Sequence, residues 1–370
     1  MISISKPVIT NKDIRDVSAV LKSGMLIQGP KVKKLEEKFA KYCKTKYAIA
    51  VNNGTAALHT SLYALGIKQG DEVITTPFTF VATANSILMQ NAKVIFADID
   101  EESFNLSASE IEKQITKNTK AILPVSLYGR PFDQKINQLA KKYNLKVVED
   151  AAQSIGASRN REKSGNLADI STFSLYATKN IMSAEGGMIT TNNHELAELC
   201  RRFRHHGQSE QTRYQYHDIG YNYRLTDIQA AIGLNQIAKL EKITDKRNEN
   251  AKKLSEGLKK IPGIIIPNIP KNMRHAFHQY TIRITPTFKL TRDELKEYMA
   301  QNGIITGIYY PKPLHLHPHF EKFGYKEGQF PVAEKLAKEV LSIPVHPLLT
   351  KKELTKIIEI INNASKKRNA

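Results

Sequence analysis

Up to about residue 240, apolar residues follow two patterns that alternate along the chain. Short continuous apolar runs predict buried strands, and the longer stretches between them, where apolar residues recur every three or four positions, predict amphipathic helices. Strands are expected at residues 47–51, 72–76, 94–98, 121–126, 146–150, 170–175 and 188–191. This alternation predicts an α/β domain with a mostly parallel, seven-stranded sheet.

Local signals mark several helix ends. Thr10, followed three residues later by Asp13, resembles a capping box, and Gly24 is suited to end the helix that starts there. Pro30 is favourable in the first turn of the next helix. A long helical pattern from about residue 226 to 261 is stopped by a Pro-Gly pair and leads out of the first domain.

The rest of the chain predicts a smaller α+β unit. Strands are expected at residues 278–284 and 304–309, and helices at 291–301, 332–341 and 350–362. The sequence therefore predicts a large domain over residues 1–240 and a small C-terminal domain over residues 241–370.

The composition is typical of a folded globular protein. The chain has 370 residues, of which 41% are hydrophobic and 25% charged. It contains no apolar run of about 18 residues that could span a bilayer, and its first residues lack the apolar stretch of a signal peptide. We expect a cytoplasmic protein without a membrane partner.

Neither the cysteines nor the histidines have the spacing of a metal site. Cys43 and Cys200 are far apart and form no C-x-x-C pattern, so neither a zinc site nor a disulfide framework is indicated. A proline-stiffened loop at residues 310–318 contains histidines, but no carboxylate or cysteine accompanies them at ligand spacing. We expect no metal ion.

The formal net charge of +19 introduces nucleic-acid binding as an alternative function. The cationic residues are nevertheless spread along the chain. The densest runs, at residues 252–253, 259–260 and 366–368, lie on or beside amphipathic helical patterns, where solvated helix faces explain them. We therefore expect no nucleic-acid partner, and the excess charge favours an anionic small substrate.

Three segments carry candidate chemistry, and the first two are ambiguous alone. In residues 51–58 a strand ends, Gly54 follows and a helix begins, so exposed amides could bind phosphate, although an ordinary capped turn has the same pattern. Residues 147–153 place Asp150 at the carboxyl end of an apolar strand, the edge where ligands of open α/β sheets bind. That carboxylate could pair with a protonated ring nitrogen, or serve as a helix cap or in a structural ion pair.

The third segment contains Lys179, which follows an apolar strand, precedes a Gly pair and lies 29 residues beyond Asp150. An amine whose pKa is lowered by burial or by a nearby cation can attack an aldehyde and form a Schiff base. Together the three segments describe a pyridoxal-phosphate (PLP) site. The phosphate would bind the glycine turn and Ser174, Asp150 would hold the pyridinium nitrogen, and Lys179 would carry the aldehyde carbon.

The sequence resembles the DegT/DnrJ/EryC1/StrS aminotransferases, which are fold-type I PLP enzymes acting on nucleotide sugars. The resemblance runs nearly end to end. Its motifs lie at residues 28–30, 53–58, 70–73, 79–84, 149–153, 178–180, 185–187, 220–224, 310–315 and 344–347.

The resemblance implies a role for each matching residue of the cofactor site. Phe80 stacks on the ring, Gln153 contacts the 3-hydroxyl of the cofactor, and Lys179 forms the Schiff base and moves protons. The phosphate is held by Gly54, Thr55, Ala56 and Ser174. Phe80 could instead belong to the core.

The resemblance also implies a homodimer with shared active sites. Asn222 of one chain would reach the phosphate of the neighbouring chain's cofactor, and Arg224 would lie near that site, where an anionic group could dock. His315 is a second candidate for substrate binding. Otherwise Asn222 and Arg224 would form a capped turn, and His315 would be an ordinary loop residue with its hydrogen bonds satisfied.

The expected activity is ping-pong transfer of an amino group from an amino acid, by resemblance L-glutamate, to a keto group of a nucleoside-diphosphate sugar. The motifs at residues 222–224 and 178–180 slightly favour C4 over C3, as in perosamine-type synthases. Lys179 itself favours transamination, because dehydrating relatives carry histidine at that position. The alternatives are a same-fold aminotransferase acting on a cyclitol or related ketone, and a regulatory protein without turnover.

Overall fold

A computed structural model describes residues 1–209 and 214–366. The strands are β1 (Tyr47–Val51), β2 (Glu72–Thr75), β3 (Lys93–Phe96), β4 (Thr119–Leu123), β5 (Lys146–Asp150), β6 (Ser158–Arg159), β7 (Glu162–Lys163), β8 (Ile170–Ser174), β9 (Gly187–Thr191), β10 (Ile264–Ile265), β11 (Met273–Arg274), β12 (Tyr280–Ile284) and β13 (Val340–Ile343). The helices are α1 (Asn11–Ser23), α2 (Pro30–Cys43), α3 (Gly54–Ala64), α4 (Val81–Leu88), α5 (Ala108–Gln114), α6 (Lys135–Lys142), α7 (His194–Arg204), α8 (Asp227–Leu258), α9 (Arg292–Gln301), α10 (Pro318–Glu321), α11 (Pro331–Glu339) and α12 (Lys351–Ser365).

The large sheet contains all seven strands that the apolar runs predicted, with ends that differ by no more than three residues. Its order is β1-β9-β8-β5-β4-β2-β3. The pairs between β8, β5, β4, β2 and β3 are parallel, whereas β9 is antiparallel to both of its neighbours. The sheet is therefore mostly parallel, and the carboxyl ends of β5 and β8 meet at one edge.

The helix-end signals of the sequence are confirmed. Thr10 and Asp13 form the capping box of α1, and Gly24 ends that helix in the left-handed conformation. Pro30 lies in the first turn of α2. Short-range chemistry therefore determined these boundaries.

The second, smaller sheet has the order β10-β12-β13 and differs from the prediction in two places. Residues 304–309 do not form a strand and make only isolated bridges, from Ile304 to Ile2 and from Gly307 to Ser342. The predicted helix 332–341 ends at Glu339, and Val340–Ile343 is a strand paired with β12. This short run is completely buried, and its pairing with the distant strand β12 satisfies its backbone groups.

Helix α8 connects the two units without a break. The predicted boundary between residues 240 and 241 lies inside this helix, and that division stays a prediction. The apolar core of the small unit also contains Ile2, whereas Phe320 and Phe330 pack into a core shared with the large sheet. In the described part of the chain, no helix combines the length and apolarity that a membrane crossing requires.

The outer edge of β1 is closed by an ion pair. The amide of Ala50 donates to Glu36 Oε1 (2.8 Å), and its carbonyl accepts from Arg204 Nη1 (2.8 Å). Arg204, only 1% exposed, also pairs with Glu36. The two side chains thus occupy hydrogen-bonding positions that another strand would use.

We predict that Arg204→Ala destabilises the protein strongly. The substitution leaves Glu36 without its cation and a buried carbonyl without a donor, which costs roughly 3–5 kcal/mol. Calorimetry should show a thermal midpoint lowered by at least about 5 °C. Arg201→Ala, which removes an ion pair with Glu198 one turn earlier on a more exposed face, should cost less than about 1 kcal/mol. Equal midpoints for the two variants would contradict the prediction.

Candidate active site

The glycine turn after β1 contacts Ser174. A methyl group on Gly54 would lie 3.0 Å from the Ser174 Cβ, so turn and serine are in contact without space for a side chain between them. The Asn53 side chain caps α3 by accepting the Ala56 amide (2.8 Å). Ala56, expected to bind phosphate, therefore uses its amide in this cap. The amides of Gly54 and Thr55, which have no acceptor within the helix, remain for a phosphate.

Asp150 ends β5 as a buried carboxylate with two protein donors. The Thr83 hydroxyl donates to Asp150 Oδ2 (2.8 Å), and the Ala152 amide donates to Oδ1 (3.1 Å). Burial raises the pKa of Asp150, while these hydrogen bonds and the charge of Lys179 oppose that rise. A buried carboxylate whose donors leave lone pairs unused can accept one further cationic donor.

Lys179 lies on the turn that follows β8, where its amide donates to the Tyr176 carbonyl (2.9 Å). Burial lowers the pKa of its amine to about 8, and the charge of Asp150 acts in the opposite direction. Asp150 and Lys179 thus lie within electrostatic reach of each other. Because the amine loses its proton more readily than an ordinary lysine, it is suited to act as a nucleophile and a base.

Gln153 links the sheet edge to the second unit. Its Oε1 accepts the Tyr128 amide (2.8 Å), and its Nε2 donates to the Tyr310 hydroxyl (3.3 Å). Burial and the charge of Asp150 raise the pKa of Tyr310. The structure therefore brings Gln153 and Asp150 to the same site and adds Tyr310 to it.

Phe80 is the N-cap of α4, and its side chain is 59% exposed. Its ring centroid lies 6.4 Å from that of Tyr310. A phenylalanine belonging to the core would be buried, so the structure speaks against the core alternative, and contact of this ring with the cofactor stays a prediction.

Asn222 and Arg224, expected to lie at the neighbouring chain's cofactor site, make no described contact with Asp150 or Lys179 of their own chain. Asn222 is exposed on the loop before α8, and its backbone pairs with His205. Arg224 Nη1 lies 2.7 Å from His205 Nδ1 and lines an open cavity of about 1100 Å³. The residues that line this cavity include Gln28, Lys33, Lys46 and Arg201, and include neither Asp150 nor Lys179.

His315 does not match the role expected from the sequence. Its side chain is fully buried, with the ring 4.7 Å from that of Phe330 and Nε2 bonded to Glu334 (2.9 Å). No part of the side chain is exposed to contact a substrate. The alternative from the sequence, a loop residue with its hydrogen bonds satisfied, holds only in part, because His315 lies in a short 3₁₀ turn and its Nδ1 is buried without a hydrogen-bond partner among the described residues.

Thr83 and Tyr310 contribute to the site although the sequence assigned them no individual role. Both lie inside motifs of the family resemblance, and Thr83 lies one helical turn after Phe80. That spacing could have indicated a common face. The bond to Asp150, which is 67 residues away along the chain, has no local signal.

The residues at this edge of the sheet fit pyridoxal phosphate. The Gly54 and Thr55 amides and the Ser174 hydroxyl provide donors for a phosphate at a helix N-terminus. Asp150 provides a buried acceptor for a ring N–H, and Lys179 provides an amine of lowered pKa. The phosphate, the ring N–H and the aldehyde of that cofactor are thus each matched by a protein group of opposite character.

The fold and this set of residues define an α/β enzyme of the fold-type I class, which depends on pyridoxal phosphate. The chain belongs to the DegT/DnrJ/EryC1/StrS aminotransferase family, whose family model matches residues 7–362. It is accordingly a PLP-dependent aminotransferase.

Two relatives and one solved structure illustrate the similarity. A pleiotropic regulatory protein from Geobacillus stearothermophilus is 44% identical over 94% of this chain and 93% of that protein. A GDP-perosamine synthase from Caulobacter vibrioides is 38% identical over 88% of each chain. The crystal structure of S. venezuelae DesV in complex with a ketimine intermediate has a TM-score of 0.92 at 34% identity, with 96% of this chain and 95% of that chain covered.

We predict that Lys179 titrates near pH 8 in cofactor-free protein. Acylation of Lys179 in the folded protein, followed by mass spectrometry of its peptide, should reach half its maximal rate near pH 8, whereas an ordinary lysine does so near pH 10.5. Asp150→Asn should move this midpoint lower still, because the carboxylate favours the charged amine. Labelling of the exposed Lys253, measured in the same samples, corrects for loss of the acylating reagent. A Lys179 midpoint near pH 10 would contradict the assignment.

Proposed function

We propose that this enzyme transfers an amino group from an amino acid, L-glutamate by family resemblance, to the keto group of a nucleoside-diphosphate sugar. The observation that carries the proposal is the Lys179 amine, with its lowered pKa, within electrostatic reach of the buried Asp150 carboxylate, together with the contact between Ser174 and the glycine turn that begins α3. Names of relatives such as GDP-perosamine synthase support the substrate class.

In the proposed site, Asp150 accepts the ring N–H, and Gly54, Thr55 and Ser174 donate to the phosphate. Gln153 contacts the 3-hydroxyl and Phe80 covers the ring face. When bound, pyridoxal phosphate supplies an aldehyde that accepts the amino group and a ring that withdraws electrons from the reacting carbon. The protein groups named above would hold the cofactor and present it to Lys179.

Lys179 has two functions in this proposal. It would hold the cofactor through its amine, and that amine would take and return the proton at the reacting carbon. With a pKa of about 8, the amine exists in both protonation states near neutral pH. A proton shuttle requires this property.

Charge supports an anionic substrate. Among the described residues that line the cavity beside Arg224, the cations Lys33, Lys46, Arg201 and Arg204 outnumber the acids Glu36 and Glu37, and the whole chain carries a formal net charge of +19. Such a surface attracts the diphosphate of a nucleotide sugar. The motifs at residues 178–180 and 222–224 slightly favour amination at C4 over C3, as in perosamine-type synthases.

The proposed assembly is a homodimer in which each active site uses both chains. Asn222 is exposed, and none of its described contacts involves Asp150 or Lys179. Ile27 and Ile219 are also exposed, at 73% and 66%, and the carbonyl of Ile27 accepts the amide of Asp227 at the start of α8. Exposed large apolar residues beside this loop are typical of a subunit interface.

The proposed activity predicts an amino-sugar product. Purified protein incubated with pyridoxal phosphate, L-glutamate and a panel of nucleotide keto sugars should convert a 4-keto sugar to its 4-amino derivative, detected by mass spectrometry and located by NMR. Lys179→Ala should still bind the cofactor but lose at least about 10³-fold in kcat, because the proton shuttle is absent. Amination of a cyclitol ketone alone, or no turnover of any ketone by cofactor-loaded protein, would favour the two alternatives named from the sequence.

The shared site predicts that two inactive chains restore one active site. A mixed dimer of Lys179→Ala with Asn222→Ala/Arg224→Ala places both defects in one site and leaves the other complete, because a twofold interface is self-complementary. Co-refolding should therefore recover up to about half the activity per mixed dimer. Homodimers of each variant serve as controls. Mixed dimers that form but stay inactive would show that the Asn222 loop serves its own chain.

A further inference from the structure

Two threonines of α4 and the loop before it form a hydrogen-bonded chain that ends on Asp150. Thr83 donates to Asp150 Oδ2 (2.8 Å), and the hydroxyl oxygens of Thr79 and Thr83 are 3.0 Å apart. Thr79 and Thr83 are 2% and 1% exposed. A hydroxyl has a single proton, so Thr83, which uses its proton on Asp150, accepts from Thr79.

The helical turn that presents Thr83 also presents Phe80. The Thr83 amide donates to the Phe80 carbonyl (3.2 Å), and the Thr83 carbonyl accepts from the Ser86 hydroxyl (2.8 Å). These bonds hold Thr83 in the first turn of α4. One turn therefore carries both the Phe80 ring, which is proposed to cover the cofactor, and the Thr83 hydroxyl. That hydroxyl binds Asp150, the carboxylate proposed to hold the ring nitrogen of the cofactor.

We propose that Thr83 is a positioning residue for the cofactor. Its hydroxyl keeps the Asp150 carboxylate ionised and orients it so that the remaining lone pairs face the ring nitrogen. Thr79 in turn fixes the direction of the Thr83 hydroxyl. This inference rests on the proposed role of Asp150. The Ala152 amide holds the other oxygen, so together the two donors fix the plane of the carboxylate. Neither donor carries charge, so neither competes as a cation with the ring N–H.

The charged and titratable groups around Asp150 are few among the described residues. Lys179, after β8, opposes the rise in the pKa of Asp150, and Tyr310, from the second unit, is affected by the charge of Asp150. Glu149 lies on the opposite face of β5, where Ser126, Ser164 and Ser171 bind it. The bond from Thr83 is the largest influence that lowers the pKa of Asp150, so its loss raises that pKa further.

The test measures pyridoxal-phosphate binding by equilibrium dialysis between pH 6 and 8.5, with Lys179→Ala as the parent so that the amine does not contribute to the pH dependence. Thr83→Val removes the hydroxyl and keeps the shape of the side chain. We expect its Kd to rise about tenfold over the parent at pH 6 and less than about twofold at pH 8.5, because a larger fraction of Asp150 is protonated at low pH. The ratio to the parent at each pH cancels the titration of the cofactor's own phosphate.

Three variants distinguish a positioning role of Thr83 from a purely structural one. Thr83→Ser should restore the Kd of the parent within about twofold, and Thr79→Val should shift Kd in the same direction by about threefold. Thr75→Val removes another buried hydroxyl, which donates to the Leu123 carbonyl, and should leave the pH dependence unchanged. An equal loss for Thr83→Val at every pH, or a pH-dependent loss for Thr75→Val, would overturn the inference.

Asp150→Asn distinguishes failure of this inference from failure of the proposed function. In that background, adding Thr83→Val should change Kd by less than about twofold, because no carboxylate is left to protonate. If Asp150→Asn leaves Kd unchanged, the proposed role of Asp150 is wrong and the inference is overturned with it. If Asp150→Asn weakens binding while Thr83→Val has the same effect with and without the carboxylate, only the role of Thr83 is wrong.

Discussion

The parallel pairing of β5 with β8 is the constraint on which the site depends. Its register places Asp150, the last residue of β5, opposite Thr172, two residues before the end of β8, and beyond that end the chain turns to Lys179. A one-residue slip would move Asp150 to the other face of the sheet, since side chains alternate along a strand. A carboxylate and an amine that are far apart along the chain become electrostatic partners because two central strands cannot slip.

The two adjacent acids at the end of β5 show how packing separates structural from chemical carboxylates. Glu149 is completely buried and accepts four hydrogen bonds, from Ser126, Ser164, Ser171 and the Gly165 amide. Asp150 accepts two, from Thr83 and the Ala152 amide, which leaves part of its acceptor capacity unused by these donors. Because its hydrogen-bonding capacity is used within the protein, Glu149 has a structural role and connects neighbouring segments. Because part of its capacity is unused, Asp150 is available to a ligand.

The lysine is also tied to the second unit. Asn180, the residue after Lys179, donates from Nδ2 to the Ala276 carbonyl (2.8 Å), and the Ala276 amide donates to the Gly129 carbonyl (2.8 Å). The buried Arg247 on α8 donates to the Phe277 carbonyl (2.9 Å). These bonds fix the turn that carries Lys179 against both units, and the same burial lowers the pKa of its amine. Position and reactivity of the lysine therefore have one structural cause.

The sequence by itself determined what depends on near neighbours: the seven strands of the large sheet, the capping box at Thr10 and Asp13, and the segments that carry Gly54, Asp150 and Lys179. Periodicity and capping operate within a few residues and are readable in one dimension. Only the tertiary structure decided that Val340–Ile343 is a strand, that His315 is buried against Phe330, and that Thr83 bonds to Asp150. Cross-strand pairing and desolvation depend on which distant segments pack together, and no local pattern encodes that choice.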